Sequence, residues 1–200
     1  METKDVFETV RKYICQSVWL ENKNNYDLLA AYAMSTHVRY LSNRIINLQI
    51  LGDRGTGKTE IIKIMKSLVH TPTLINDGYS PSAANQKLYR RAPKTTILLD
   101  VAQIDEYLPI FREFIDCPTI FTTMKEMGPD FLIEHGMHSC FMVRLKARAE
   151  HLPEKDQTIS ELGIQEVLDN WQRPLCGIFI AMKDVIDGVL IEARMAEWKA

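Results

Sequence analysis

Gly52-Asp53-Arg54-Gly55-Thr56-Gly57-Lys58-Thr59 is the stretch of this 200-residue chain that decides its fold. It fits the phosphate-binding pattern of Gly, four residues and Gly-Lys-Thr at every fixed position. The apolar run at 45–51 predicts a buried strand before it, and apolar residues at helical spacing predict a helix over 59–69 after it. Strand, glycine-rich loop and helix are the context that the motif needs. We therefore expect this loop to bind nucleotide phosphates.

The residue types of the loop match the chemistry of such a site. Glycines let the backbone curl around an anion, and the N–H groups that begin the next helix point at it. We expect Lys58 to neutralise the β and γ phosphates and the Thr59 hydroxyl to bind Mg²⁺. The alternative, a glycine-rich turn that only caps a helix, does not explain the Lys and Thr after the last Gly. The residues predicted to contact nucleotide are Gly52, Asp53, Arg54, Gly55, Thr56, Gly57, Lys58, Thr59 and Glu60.

Composition indicates an ordinary globular domain and argues against several other classes. Apolar residues make up 46% of the chain, and the net charge of −2 gives no overall positive field that would indicate nucleic acid. The four cysteines form no Cys-x-x-Cys pair and the five histidines show no metal-ligand spacing, so we expect neither a zinc site nor a disulfide framework. No apolar stretch is long enough to span a bilayer. We expect a cytoplasmic protein with reduced cysteines and no membrane partner.

Apolar runs alternate with helical stripes along the chain and predict an α/β fold. Residues 4–44 indicate helices with a polar break at 22–25, which we expect to pack on the core. Beyond the loop, we predict strands at 71–76, 95–100, 118–123 and 140–145, helices at 80–89 and 104–114, a polar linker at 153–157, and closing helices near 164–171 and 179–198. This order predicts a three-layer P-loop core with a mostly parallel sheet of about five strands. The expected divisions are a helical lead-in at 1–44, a nucleotide-binding core at 45–150 and C-terminal helices at 151–200.

A carboxylate ends the third predicted strand. Asp100 follows Thr59 by 41 residues, where a Mg²⁺-organising carboxylate is expected, although a strand-end Asp can also cap the next helix. Hydrolysis needs a general base within reach of the attacking water. The candidate bases are Asp77, Asp105 and Glu106, and the sequence alone does not choose among them.

Polar residues in three other segments each allow a functional and a purely structural interpretation. Thr122 and Thr123 end the fourth strand beside that of Asp100, where a polar residue would contact the γ-phosphate or position water, or would simply finish a strand. Arg144, Lys146 and Arg148 alternate with apolar residues and so share one side of an extended segment. This pattern favours a solvated strand edge; the alternative is a charge given to a neighbouring subunit's nucleotide or to a DNA backbone. A second basic cluster is either a charged loop or a phosphate contact: Lys87, Arg90, Arg91 and Lys94.

Residues 31–105 resemble the helicase-like P-loop ATPase domain, of the additional-strand or AAA+ type, that phages, plasmids and integrated mobile elements carry. Besides the loop, three segments are similar to segments of that family: Ala33-Met34-Ser35-Thr36-His37, Tyr79-Ser80-Pro81-Ser82-Ala83-Ala84 and Thr95-Thr96-Ile97-Leu98-Leu99-Asp100. The resemblance implies a three-layer core, ATP as ligand, and DNA replication or maintenance of a mobile element as the process. It also implies rings in which one subunit's Arg completes the next subunit's site.

Two positions depart from that family's pattern. Relatives have Glu after the strand-end Asp, whereas this chain has Val101, which cannot act as a base. If Val101 occupies the base position, Val101→Glu should raise turnover. The Arg that relatives carry just before the last strand is absent, since His138-Ser139 stands near there.

We therefore expect an ATP-binding P-loop protein. The candidate catalytic residues for ATP hydrolysis are Lys58, Asp100, Thr122 and Arg144, and we expect Thr59 and Asp100 to bind Mg²⁺. The expected activity is that of a helicase-like ATPase. The alternatives are a nucleotide-binding switch or loader with little or no hydrolysis, and a small-molecule phosphotransferase. The expected partners are a nucleoside triphosphate, DNA as a candidate, and either like subunits in a ring or a replication protein.

Overall fold

The computed structural model describes residues 3–38, 45–146 and 160–171, in which helices alternate with strands. In chain order the elements are α1 (Thr3–Ser17), α2 (Asn24–His37), β1 (Asn47–Leu51), α3 (Lys58–Leu68), β2 (Pro72–Asn76), α4 (Pro81–Tyr89), β3 (Thr96–Asp100), a 3₁₀ helix (Ile104–Tyr107), α5 (Leu108–Glu113), β4 (Thr119–Thr123), α6 (Pro129–Glu134), β5 (Cys140–Arg144) and α7 (Glu161–Asp169). The predicted linker at 153–157, the helix at 179–198, Arg148 and Cys176 lie outside these ranges.

The five strands form one sheet in the order β2-β3-β4-β1-β5, and every neighbouring pair is parallel. The predicted α/β fold with about five strands is confirmed, and the sheet is wholly rather than mostly parallel. β4 lies between β1, which precedes the 52–59 loop, and β3, which ends in Asp100. Because the strands are parallel, all their carboxyl ends meet at one edge, which we call the carboxyl edge.

Two apolar clusters cover the two faces of the sheet. The first joins α1, α2, α3 and α7 to strand residues such as Leu48, Ile50 and Val143. The second joins α4 and α5 to the opposite face, through residues such as Leu99 and Phe121. Helices on both faces of a parallel sheet are consistent with a three-layer α/β core.

The first two helices belong to the first cluster. α1 buries one apolar stripe, formed by Val6, Val10 and Ile14. In α2, every residue from Leu28 to Met34 is buried, so this helix is covered on nearly all sides. α2 contacts both α1 and α3, so its outward face is covered as well as its inward one. The end of α2 is also hydrogen-bonded to the chain after α3, because the His70 N–H donates to the Thr36 hydroxyl at 2.9 Å.

Two elements differ from the sequence prediction. The helix expected over 104–114 is a 3₁₀ helix followed by α5, and Pro109 falls in the first turn of α5, the part of a helix that tolerates a residue without an N–H. The six-residue α6 was not predicted; none of its residues is fully buried, and Leu132 is partly buried against the second apolar cluster.

Two of the expected absences can be compared with the described ranges. No helix within them is long and apolar enough to cross a membrane. The cysteines that they include, Cys15, Cys117 and Cys140, are in no disulfide bond.

Candidate functional site

The 52–59 loop leaves the carboxyl edge from the middle of the sheet. Its first residue is fixed by β4, because the Gly52 N–H donates to the Thr123 carbonyl at 3.1 Å. A Cβ at Gly52 would lie 2.5 Å from the Thr56 hydroxyl and 3.0 Å from Leu145 Cβ. Real Cβ atoms essentially never show a contact of 2.5 Å, so any other residue at position 52 would force the loop to shift.

The other end of the loop begins α3. Gly57 is the N-cap with φ +94°, a left-handed conformation that favours glycine, and no side chain caps the helix. The first N–H groups of a helix have no partner within the helix itself. Among the described residues, no acceptor is bonded to the N–H groups of Gly57 or Thr59. Free donors and the positive end of the helix dipole make this terminus suited to an anion.

Lys58 extends back across the loop. Its ammonium donates to the Gly52 carbonyl at 2.5 Å and to the Asp53 carbonyl at 2.7 Å. Burial lowers the pKa of Lys58 below its usual value, and the negative charges of Asp100 and Asp53 oppose that change. The cation therefore lies over the loop and interacts with the carboxylate that ends β3.

Asp100 is joined to β4 through Thr122. The Thr122 hydroxyl, which is 3% exposed, donates to Asp100 Oδ1 at 3.2 Å. Side chains alternate between the faces of a strand, and Thr122 lies beside Ile50 in the register, on the face that α3 covers. Lys58, Asp100 and Thr122 are thus brought to one corner of the carboxyl edge, as a shared site requires. The hydrogen bond favours a specific role for Thr122 over that of a residue that only finishes a strand.

The neighbouring Thr123 has a different environment. Its hydroxyl accepts from Gln49 Nε2 at 2.8 Å, and the same amide nitrogen donates to the Lys125 carbonyl at 3.2 Å. Gln49 is 2% exposed, so these bonds satisfy a buried amide and fix the chain that leaves β4. Gln49 was not among the predicted site residues. A polar residue inside an apolar strand nevertheless indicates that its side chain has a buried hydrogen-bond partner.

The residues present fit a magnesium ion only together with phosphates. Thr59 is exposed on the first turn of α3, and Asp100 has carboxylate lone pairs that Thr122 does not use. In the described part of the chain, no three His, Cys, Asp or Glu side chains converge to hold a metal by themselves. Mg²⁺ usually keeps several waters and is bound by one or two protein oxygens plus substrate phosphates, which is what Thr59 and Asp100 offer.

Arg144 is not brought to this corner. It pairs in register with Leu51, which also pairs with Thr123, and so points to the sheet face opposite to that of Thr122. Its guanidinium bonds Glu126 Oε2 at 2.5 Å, and both side chains are more than half exposed. Lys146 pairs with Glu21 at 3.1 Å. These contacts support the interpretation as a solvated strand edge, and no sequence pattern had pointed to Glu126.

Position 101 does not face the loop either. Val101 is 6% exposed and packs in the second apolar cluster. Since the first cluster holds α3, Val101 lies on the far side of the sheet from Lys58. A carboxylate introduced at Val101 would enter an apolar core, so the expectation of raised turnover for Val101→Glu does not follow from this geometry.

The three candidate bases lie near β3 but not in the corner itself. Asp77 Oδ1 accepts from the Ala102 N–H at 2.8 Å. Asp105 and Glu106 are exposed on the 3₁₀ helix. Over the described ranges, no hydrogen bond joins any of the three to Lys58 or Asp100.

The second basic cluster is divided. Lys87 donates to the Leu74 carbonyl and to the Tyr79 hydroxyl, both at 2.9 Å, and lies 4.1 Å from the centroid of the Tyr79 ring. It therefore stabilises the edge of the sheet, whereas its companions are exposed: Arg90, Arg91 and Lys94.

No protein-family model matches this chain, and a search of curated protein sequences finds no match either. The function is therefore argued from the residues at the carboxyl edge and their geometry.

Proposed function

We propose that this chain is an ATP-binding P-loop nucleoside triphosphatase of the helicase-like or AAA+ type. One observation carries the proposal: the 52–59 loop opens into α3 at the carboxyl edge, beside Asp100 and Thr122. In open α/β sheets, ligands bind outside the carboxyl ends of the strands. The loop N–H groups and Lys58 would bind the β and γ phosphates, and Thr59 with Asp100 would hold Mg²⁺.

The choice of adenine and the assignment to the additional-strand type are each supported by one observation. The sequence contains no Asn-Lys-x-Asp motif for guanine, which favours adenine or little base discrimination. A strand, β4, separates the loop strand from the Asp100 strand, as expected for an additional-strand ATPase.

The proposed process is DNA replication or maintenance of a mobile element or virus, in the cytoplasm. It rests on the resemblance of the segments 33–37, 79–84 and 95–100. The proposed partners are DNA and either like subunits in a ring or a replication protein. A role for Arg144 in a neighbour's site would require its pair with Glu126 to open.

Steady-state ATP hydrolysis, measured with and without single-stranded DNA, tests the proposal. We expect turnover that DNA stimulates and that Lys58→Ala abolishes, since the substitution removes the charge that contacts the phosphates. Lys66→Ala is the matched control, because Lys66 is an exposed lysine on the same helix, about two turns beyond Lys58. Turnover that persists unchanged in Lys58→Ala would contradict the assignment.

A nucleotide-binding switch or loader is the second candidate function. It is favoured by the burial of Val101 and by the bond that engages Asp77, because neither position then presents a carboxylate to Lys58. Tight ATP binding without turnover would support it. Transfer of phosphate to a nucleoside or another small acceptor would instead indicate a phosphotransferase.

A further inference from the structure

Two hydrogen bonds join the segment after β2 to the segment after β3. Asp77 Oδ1 accepts from the Ala102 N–H at 2.8 Å, and the Tyr107 hydroxyl donates to the Tyr79 carbonyl. Tyr107 is 5% exposed and belongs to the second apolar cluster, so its ring is fixed by packing. We call these two bonds the Asp77–Tyr107 clasp.

The clasp lies directly after Asp100. Asn76 and Asp100 are partners in the register of β2 and β3, and Asp77 and Ala102 follow them by one and two residues. Between Asp100 and Ala102, the side chain of Val101 is buried in the second cluster. The turn at 101–102 is therefore held twice, by an apolar side chain and by the carboxylate of Asp77.

We propose that Asp77 is a positioning residue for Asp100 and not the general base, an inference that rests on the proposed function. By accepting the Ala102 N–H, Asp77 fixes the turn and thereby the backbone from which the Asp100 carboxylate projects toward Thr122. A backbone N–H needs only an acceptor oxygen, which an amide supplies as well as a carboxylate does. Proton abstraction needs the carboxylate itself.

This difference makes Asp77→Asn the decisive variant, since Asn has nearly the same shape and keeps an acceptor. Asp77→Ala removes the acceptor, and Tyr107→Phe breaks the second bond of the clasp while it keeps the buried ring. Asp116→Ala is the matched control, because Asp116 is an exposed aspartate that precedes β4, at the opposite edge of the sheet.

The first measurement uses the protein without nucleotide. Amide hydrogen exchange over residues 100–107 should be about tenfold faster in Asp77→Ala than in the wild type, since opening of the turn exposes the Ala102 N–H. Asp77→Asn and Asp116→Ala should exchange like the wild type. Unchanged exchange in Asp77→Ala would overturn the proposal, because the bond would then not hold the turn.

The second measurement is the gain in ATP affinity that Mg²⁺ provides, taken as the ratio of the dissociation constants in EDTA and in Mg²⁺. We expect the gain to fall about threefold to tenfold in Asp77→Ala and Tyr107→Phe, and to stay within twofold of the wild type in Asp77→Asn. A structural role alone would lower the melting temperature of Asp77→Ala and leave this ratio unchanged, which would overturn the proposal.

Turnover separates the positioning role from that of a base. Asp77→Asn should keep at least about a third of the wild-type kcat, whereas a hundredfold loss would assign Asp77 as the base and overturn the proposal. Wild-type protein that binds Mg²⁺–ATP while Asp77→Asn fails would overturn only the role of Asp77. Wild-type protein that binds no nucleotide would remove the proposed function and this inference together.

Discussion

At the scale of single residues, the face of the sheet on which a side chain lies decides its role. Thr122 and Arg144 both stand near the ends of strands, yet only Thr122 shares a face with α3. Strand alternation moves a side chain to the opposite face with each residue. A polar residue at a strand end is therefore a site candidate only when its register places it on the side of the loop.

The hydroxyl of Thr122 should matter to the site more than its bulk does. Thr122→Val keeps a branched side chain but loses the donor to Asp100. We expect it to weaken Mg²⁺-dependent ATP binding by about threefold to tenfold, since a hydrogen bond to a charged group contributes about 1.5 kcal/mol or less at this length. Titration calorimetry measures the effect, and Thr122→Ser should restore most of the affinity. Wild-type affinity in Thr122→Val together with a loss in Thr122→Ser would mean that the methyl group, not the hydroxyl, is needed.

Val101→Glu should destabilise the protein and not activate it. The new carboxylate would enter the second apolar cluster, at a cost on the order of 3 kcal/mol if it stays buried and unpaired. Urea unfolding of Val101→Glu and of a control variant measures the change in the free energy of unfolding. Gln103→Glu is the control, because it adds the same charge two residues further on, where the side chain is exposed. A stable Val101→Glu protein with higher turnover would show that position 101 does reach the nucleotide.

At the scale of elements, the loop depends on two glycines. Gly57 has a left-handed backbone conformation that favours glycine, and Gly52 has no room for a Cβ. Gly57→Ala would put a side chain on a residue with φ +94°, which costs about 1–2 kcal/mol. We expect that loss in unfolding free energy, with weaker ATP binding as the first turn of α3 shifts. Gly128→Ala is the matched control, since φ is −64° and a Cβ there would meet no atom within 4 Å. It should change stability by less than about 0.5 kcal/mol, and a larger effect than that of Gly57→Ala would contradict this account.

The sequence predicted most elements because their signals are local. The apolar runs of β1 and β3 and the Ser80 N-cap of α4, which accepts from the Ala83 N–H, follow from residue type and spacing alone. The sequence did not predict α6, which is only six residues long and fully buries none of them, or the nearly complete burial of α2 between its neighbours. Burial on several sides is set by tertiary packing, which a periodic pattern does not record.

The candidate site divides in the same way. The loop and Asp100 were found because a contiguous motif and a strand end mark them. The pair of Arg144 with Glu126 and the bond of Asp77 to Ala102 were not, because their partners are 18 and 25 residues apart and meet only through the fold.

At the scale of the whole molecule, α1 and α2 contribute to the stability of the domain because they form part of its first apolar cluster. α1 places Ile14, which is fully buried, in the cluster that also holds α3. Ile14→Ala should lower the free energy of unfolding by about 2–5 kcal/mol, as expected for a large-to-small change in a core. Ile115→Ala is the control, since Ile115 is 44% exposed, and it should cost about 1 kcal/mol or less. A small effect of Ile14→Ala in chemical denaturation would mean that the helix is dispensable.

This packing links the start of the chain to the proposed site. α3 begins at the 52–59 loop and buries Ile61 and Met65 against the sheet and the first helices. Loss of α1 would therefore loosen the helix whose first turn is proposed to hold phosphate. We expect bound Mg²⁺–ATP to raise the melting temperature of the intact protein, because a ligand that binds only the folded state stabilises it.

We propose that the 52–59 loop and Lys58 bind a triphosphate. Titration calorimetry with Mg²⁺–ATP measures that binding directly. We predict saturable binding by the wild type and by Lys66→Ala, and an affinity about 10- to 100-fold weaker in Lys58→Ala, since a charged hydrogen bond contributes about 1.5–3 kcal/mol. No detectable binding of Mg²⁺–ATP by the wild type, or equal affinity in Lys58→Ala, would contradict it.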